Sequence, residues 1–381
     1  MQQTPIGMRK KIVFVGRTNV GKSSIINAII GDEISIISDI DGTTTDSVSK
    51  AFEILDFGPV QLYDTAGFGD ESPLGIEREK AALKTLKNAD LAVLVVASNE
   101  LTPIDCKVLD YIKSFKIPYI IAYNKNDLYQ YDNCKISINT LSKKSVQNLL
   151  GQIVKHLKQM PDKKLLEGIV QKHDKILQDM PQDDSAPKGR LIMPQVQMIR
   201  ELIDRHVFIT CIALEELPKA LSSQNYDLII TDSKVVKEVL KQVPVSQKVS
   251  TFSILFARMK GDFSVLLDGL VMIDALNDND KILIAESCVH TTREDDIAKA
   301  MIPKILENYT GKTLIFEFAH GKTLPEDLTG YRLILQCGGC VLTPKEVQNR
   351  IQTALSQGIA ITNFGLALTK CRLGDIARLT F

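Results

Sequence analysis

Short apolar runs alternate with longer stretches in which apolar residues recur every three or four positions. Over the first 160 residues the runs 12–15, 60–63, 91–97 and 119–123 read as strands. Between them the pattern predicts helices, one beginning near Lys22 and a charged one over 73–88. Continuous apolar strands separated by helices form a doubly wound, mostly parallel sheet covered on both faces. A charged helix is expected over 161–179, and the polar stretch MPQDDSAPKG then reads as a linker or exposed loop. Beyond it, 190–193, 207–213, 227–231 and 251–256 read as strands, with helices over 194–205 and 234–243. Lys260-Gly261-Asp262 opens a third stretch, with a helix over 263–276 and strands at 281–285, 313–318, 331–335 and 359–362. The rhythm of the second and third stretches is similar enough to point to related architecture. The expectation is an α/β protein of three domains, 1–165, 166–260 and 261–381, each built on a parallel sheet.

Length agrees with that division, because 381 residues exceed what one hydrophobic core organises. The composition, 44% hydrophobic and 24% charged, is that of a soluble globular chain, and no apolar run is long enough to span a bilayer. The opening MQQTPIGMRKK has no apolar signal core, so a cytoplasmic protein with no membrane partner is expected. Basic and acidic residues number 46 each, which gives no support to a nucleic-acid partner. Seven scattered cysteines in a reducing compartment argue against a disulfide framework, so clustered ones are examined as ligands or redox groups.

The segment from Gly16 to Ser23, GRTNVGKS, fits G-x-x-x-x-G-K-[ST] and lies between a strand and a helix. Such a loop converges backbone N–H groups, here from Asn19, Val20, Gly21, Lys22, Ser23 and Ser24, on phosphate oxygens. Lys22 adds charge at the β and γ phosphates, Ser23 offers an oxygen to Mg²⁺, and Gly21 permits close approach. Asp64-Thr65-Ala66-Gly67 follows a strand, placing a carboxylate for Mg²⁺ and a glycine amide that can sense the γ-phosphate. Asn124-Lys125-Asn126-Asp127 follows another and resembles the guanine-reading motif of GTPases, a likeness that implies Asp127 accepts from the N1–H and exocyclic amine of guanine. Thr44, within Gly42-Thr43-Thr44-Thr45-Asp46, would complete the Mg²⁺ shell, although three adjacent threonines leave the assignment open by one residue. Ser137-Ile138-Asn139 is either a degenerate last guanine loop or a plain strand end. Lys22, Thr44 and Gly67 are the expected catalytic contacts, and GTP/GDP and Mg²⁺ the expected ligands.

These residues resemble the translation-factor-like GTPases that contain the Era and TrmE families, whose loop-one Asn and G-T-T-x-D pattern are matched by Asn19 and Thr43-Thr44. Phe68 stands where Ras-like proteins place the glutamine that orients attacking water. The resemblance implies slow hydrolysis, assisted by a potassium ion held partly by Asn19.

Cys288-Val289-His290 and Cys337-Gly338-Gly339-Cys340 each follow a predicted strand, so both groups are expected at carboxyl ends of one parallel sheet, where ligands bind. Three thiolates meeting at one point suit a soft metal. An iron–sulfur cluster, a structural zinc and a dithiol redox pair are all compatible with this set. Cys106, Cys134, Cys211 and Cys371 lack a partner at ligand spacing and read as packing residues, and His156, His173 and His206 as water-facing.

The whole chain then resembles the HydF family of GTPases that mature iron-iron hydrogenases, with a GTPase domain, a dimerisation domain and a cluster domain carrying Cys-x-His and His-Cys-x-x-Cys. The stretch 251–258 leading to Lys260-Gly261-Asp262 is similar to that family's join between its last two domains. The resemblance implies a 4Fe-4S cluster on Cys288, Cys337 and Cys340 with one open iron. It also implies a homodimer, and partners among radical-enzyme maturases and the apo iron-iron hydrogenase. Gln336 stands where the family has histidine, and a neutral amide is a poor iron ligand. The fourth position falls to His290, to Glu294 or Asp295, to His320, or to water. The alternative from another class is an RNA-associated Era- or TrmE-like GTPase with a zinc-stabilised appendage, and a third is a dithiol redox protein fused to a GTPase.

Overall fold

Fourteen strands fall into three sheets in the computed structural model, which describes residues 6–32, 48–129, 136–161, 163–182, 189, 191–287, 297–339 and 341–380. The chain divides into two compact units, Met1–Pro161 and Asp162–Phe381.

The first unit carries β1 (Lys10–Val15), α1 (Lys22–Asp32), β2 (Val48–Ile54), β3 (Gly58–Asp64), α2 (Pro73–Lys87), β4 (Leu91–Val96), α3 (Pro103–Ser114), β5 (Tyr119–Asn124), β6 (Ser137–Ile138) and α4 (Lys143–Lys158). Their sheet order is β2-β3-β1-β4-β5-β6, and only the β2/β3 ladder is antiparallel. Every residue of β4 is buried, as its unbroken LAVLVV requires of a strand covered on both faces. Apolar clusters lie on both sides of the sheet, one including Ile12, Ile25 and Leu149, the other Val13, Leu86 and Ile112. Each fully buried aliphatic side chain contributes about 1.5–3 kcal/mol.

The second unit holds β7 (Lys175–Asp179), α5 (Met193–Asp204), β8 (Phe208–Ile212), α6 (Leu217–Ser223), β9 (Leu228–Thr231), α7 (Val236–Gln242), β10 (Val249–Thr251) and α8 (Phe252–Lys260). After these come α9 (Phe263–Asp274), β11 (Lys281–Glu286), α10 (Ile302–Thr310), β12 (Ile315–His320), β13 (Tyr331–Gln336), α11 (Pro344–Ser356), β14 (Ala360–Asn363) and α12 (Phe364–Leu373). The two sheets have orders β10-β9-β7-β8 and β12-β11-β13-β14, all parallel. Both are the same winding, with the first strand beside the third and the second strand on its far side. The similar rhythm of the two stretches thus reflects one topology used twice. One core cluster runs through both, from Leu177 and Ile229 to Leu335 and Leu379.

Three expected elements differ. The stretch 161–179 is not a helix: turns at 165–169 lead into β7, a central strand. Leu165 and Leu166 in those turns and Val170 just after them are buried, so the charged look of the sequence hides a core-forming segment. Positions 191–192 precede α5 without forming a strand. The run 251–256 is helical from Phe252, because the Thr251 hydroxyl accepts from the Ile254 N–H and opens α8. Among the packing cysteines, Cys371 is half-buried against the core, whereas Cys106 and Cys211 are exposed; Cys134 lies outside the described residues. His173 and His206 are exposed, and His156 is half-buried with Nδ1 2.9 Å from Gln152 O.

Asp179 ends β7 fully buried. One carboxyl oxygen accepts from Thr231 Oγ1 at 2.7 Å and the other has no partner. Burial, with the charges of Asp232 and Glu215 and against the Thr231 hydroxyl, pushes its pKa up from 3.8 to about 6. A raised folded value means that ionisation costs stability: the cost is absent below about pH 4 and complete above about pH 6. Stability attributable to this group therefore falls as pH rises through that window. Asp179→Asn should gain roughly 2 kcal/mol over the wild type at pH 7.5 and much less at pH 4.5, measured by thermal unfolding of both chains across pH. A difference that does not change with pH would contradict the assignment.

Candidate functional site

The turn after β1 is built from backbone that only glycine tolerates at two points. Gly16 has φ +148° and a Cβ there would lie 2.4 Å from Val95 O; Gly21 has φ +93° and a Cβ would lie 2.2 Å from Asn124 Nδ2. Register brings the second motif alongside, since Phe14 of β1 pairs with Asp64 of β3. Gly67 approaches the loop so closely that a Cβ would meet the Thr18 main chain at 2.5–2.6 Å. The Phe68 N–H donates to Gly16 O at 3.1 Å.

Side chains complete the cradle. Lys22 is buried, with Nζ donating to Arg17 O at 3.0 Å and Gly16 O at 3.3 Å. Burial lowers its pKa, and the negative charge of Asp64 opposes that shift. Ser23 Oγ donates to Asp64 Oδ2 at 2.5 Å, while Asp64 Oδ1 is buried and has no partner. Asn124 Nδ2 donates to Val20 O at 2.8 Å and Lys125 Nζ to Asn19 O at 2.9 Å, so the base-reading motif also braces the phosphate loop. Asn19 and Lys125 both adopt left-handed backbone, with φ +63° and +60°. Asp127, Ser23 and Ser24 are exposed, and Thr44 lies outside the described residues. Phe68 is 2% exposed and belongs to the core cluster that includes Leu86 and Ile112. Ser137-Ile138 is a strand, β6, whose last carbonyl accepts from the Asn126 N–H at 3.3 Å.

Sequence reasoning missed a brace under this loop. Arg17 Nε donates to Asp105 Oδ1 at 3.2 Å and Arg17 Nη2 to Ser98 Oγ at 3.1 Å. Asp105 is fully buried and also forms the capping box of α3 with Thr102. The T-P-x-D pattern at 102–105 announces the cap, but nothing local announces its partner in the loop.

The second candidate site is the carboxyl edge of the β11/β13 pair. Ala285 pairs with Gln336, and the Cys337 N–H donates to Ala285 O at 2.9 Å. Ser287 Oγ lies 3.0 Å from Cys337 Sγ. Gly339 turns the chain with φ +66°, which a non-glycine residue tolerates poorly. Cys288, His290, Glu294, Asp295 and Cys340 lie outside the described residues, and among those described no group of three His, Cys, Asp or Glu side chains can hold a metal. Gln336 is 2% exposed and its Oε1 lacks a partner. His320 ends β12 with Nδ1 3.4 Å from Glu286 Oε2. Burial pushes the Cys371 thiol up to about 12, in keeping with a residue packed against the core.

Three family models match the chain: the 50S ribosome-binding GTPase over residues 11–125, the hydrogen maturase F dimerization domain over 165–261, and the hydrogen maturase F tetramerization domain over 264–378. The last two nearly abut and together span more than half of it. The chain belongs to the hydrogen maturase F family. Its first unit is a P-loop GTPase domain on a mixed α/β sheet. Relatives of that unit include the tRNA modification GTPase MnmE of Acholeplasma laidlawii, 40% identical over 155 residues, 39% of this chain and 33% of that protein. GTPase Der of Clostridium botulinum is 35% identical over 130 residues, 33% of this chain and 29% of that protein. The matched part therefore spans about a third of the length of these relatives. The G domain of the T. maritima FeoB iron transporter aligns with 39% of this maturase F chain and 99% of its own, at 22% identity and a TM-score of 0.32. No helix among the described residues is long and apolar enough to cross a membrane.

The Arg17 brace predicts that Asp105→Ala costs about 2 kcal/mol, since it removes a helix cap and leaves the partly exposed Arg17 guanidinium with Ser98 alone. Hydrogen exchange should quicken in α3 and in the loop 16–21, and a change confined to α3 would show that the loop does not depend on the pair.

Proposed function

We propose that this chain is a GTP-hydrolysing scaffold of iron-iron hydrogenase maturation, with a GTPase domain at 1–165, a dimerisation domain at 166–260 and a cluster domain at 261–381. The observation that carries the nucleotide reading is the unpartnered buried oxygen of Asp64 beside Ser23, a donor pair of hard oxygens suited to Mg²⁺. Thr44 is the expected third protein oxygen. The loop amides from Asn19 to Ser24 would bind the phosphates, with Lys22 moving from the loop carbonyls to the β and γ oxygens. Asn124 would keep the base motif on the loop while Asp127 and Lys125 hold guanine. Gly67, already against Thr18, would report the γ-phosphate through its amide. With Phe68 in the core, no side chain at that position orients water, so slow turnover is expected, with potassium held partly by Asn19 as the activator.

In the second unit, Cys288, Cys337 and Cys340 would hold a 4Fe-4S cluster. The soft sulfur of Cys337, next to a strand-end serine and a glycine turn, fits that group. Such a cluster supplies an iron with an exchangeable ligand, where a di-iron precursor, as cargo, can attach before passing to the apo-hydrogenase. His290 or Glu294 remain the expected weak ligands, and Gln336, buried under the edge, supports rather than ligates. The working form would be a cytoplasmic homodimer that meets radical-enzyme maturases.

Two tests separate the halves. Hydrolysis should be selective for GTP over ATP and several-fold faster in potassium than in sodium. Lys22→Ala should abolish tight GDP binding without lowering iron, and comparable ATP turnover would exclude the guanine assignment. Anaerobic purification should give iron and sulfide in equal amounts, with Cys288→Ala, Cys337→Ala and Cys340→Ala each lowering both while Cys371→Ala does not. Zinc in their place would favour the RNA-associated alternative.

A further inference from the structure

Lys260 closes α8 as one of the most deeply buried charged side chains of the second unit, 2% exposed. Its Nζ donates to Gly339 O at 2.6 Å and to Leu342 O at 3.0 Å, carbonyls that lie 79 and 82 residues further along the chain. It also stands 5.7 Å from the centroid of the Phe256 ring. A buried ammonium is costly unless it is hydrogen-bonded, and here its acceptors come from the turn that carries Cys337 and Cys340. The 2.6 Å contact is short, as charge-assisted bonds are. Gly339 is the residue with φ +66°, so the contact lies on the peptide that reverses the chain between the two cysteines. Gly261, next in sequence, is held as closely: a Cβ there would lie 2.9 Å from Leu266 and 3.3 Å from Ile351. That packing fixes the end of α8 beneath the turn.

We infer that Lys260 is a positioning residue for the Cys337–Cys340 turn, clamping its carbonyls from below and setting a fixed positive charge under the anionic cluster that the turn would help to hold. The inference rests on the cluster reading above. The clamp reaches from the stretch matched by the dimerization model to the stretch matched by the tetramerization model. A fixed cation near a cluster favours its reduced, more negative state, and the clamp itself limits exposure of the Cys337 thiol.

The test uses the full chain and the variants Lys260→Met and Lys260→Gln. In the metal-free protein, alkylation of Cys337 by iodoacetamide, followed by peptide mass spectrometry, should run at least about tenfold faster in Lys260→Met than in the wild type, corresponding to about 1.4 kcal/mol of lost restraint. In the loaded protein the cluster's midpoint potential should become more negative in both variants. Iron should be lost more readily to a chelator from Lys260→Met than from Lys260→Gln, whose amide can still donate to one carbonyl. Circular dichroism melts check folding. If Lys260→Met does not fold, Lys260→Gln decides through its potential, and an unchanged potential overturns the charge role. Unchanged alkylation in a folded Lys260→Met overturns the clamp. Absence of iron and sulfide from the wild type would sink the cluster reading, while the alkylation result still stands or falls by itself.

Discussion

Parallel pairing at the carboxyl edges is the constraint on which both candidate sites depend. In a parallel sheet, neighbouring strands end side by side, so the loops that follow them are brought together whatever their distance in sequence. The pairing of Phe14 with Asp64 puts the phosphate loop against Asp64-Thr65-Ala66-Gly67, and the pairing of Ala285 with Gln336 puts Ser287 against Cys337. A slip of one residue in either ladder would turn Asp64 or Cys337 to the opposite face. The buried aliphatic residues of β1, β3, β11 and β13 oppose that slip, because it would unseat side chains packed against each sheet. Core packing and site geometry are in this sense one requirement.

Local chemistry made the first site legible. Gly16, Gly21, Lys22 and Ser23 stand at fixed offsets because one loop must do all the phosphate work, and such a pattern survives in a single sequence. The absence of a glutamine at position 68 was equally legible, but the burial of Phe68 was not, since a ring after a glycine carries no signal of direction. The Arg17–Asp105 pair and the Lys260 clamp join residues 79 or more apart and leave no local trace.

The misread elements share a physical cause. β7 is five residues long and ends in Gln178 and Asp179, both fully buried, so neither an apolar run nor an alternation marks it. Its turns bury Leu165 and Leu166, whose neighbours Lys163, Lys164 and Glu167 give the stretch the look of a solvated helix. α8 fails in the opposite direction. Six of its nine residues are buried, so it lacks a polar face, and FSILFA is as compatible with a buried strand as with a buried helix. Its deciding feature is the Thr251 cap, a single hydrogen bond.

The second unit contains two sheets of identical winding and gives their equivalent edges different characters. In each, the crevice lies between the first and third strands of the sheet, β7 and β9 in one, β11 and β13 in the other. At the first, Asp179 and Thr231 bond to each other at 2.7 Å, both fully buried. The second presents Cys337 half-exposed beside Ser287, on a glycine turn that Lys260 holds from below. The fold is common to both and therefore does not determine which one binds anything. What differs is the depth at which polar groups sit. A carboxyl driven into the interior is matched to a hydroxyl and serves packing, whereas a thiol kept at the rim stays available to a ligand. The cation that bonds to this second edge comes from the end of α8, the helix that follows the last strand of the first sheet, so the first half of the unit contributes to the second edge through support.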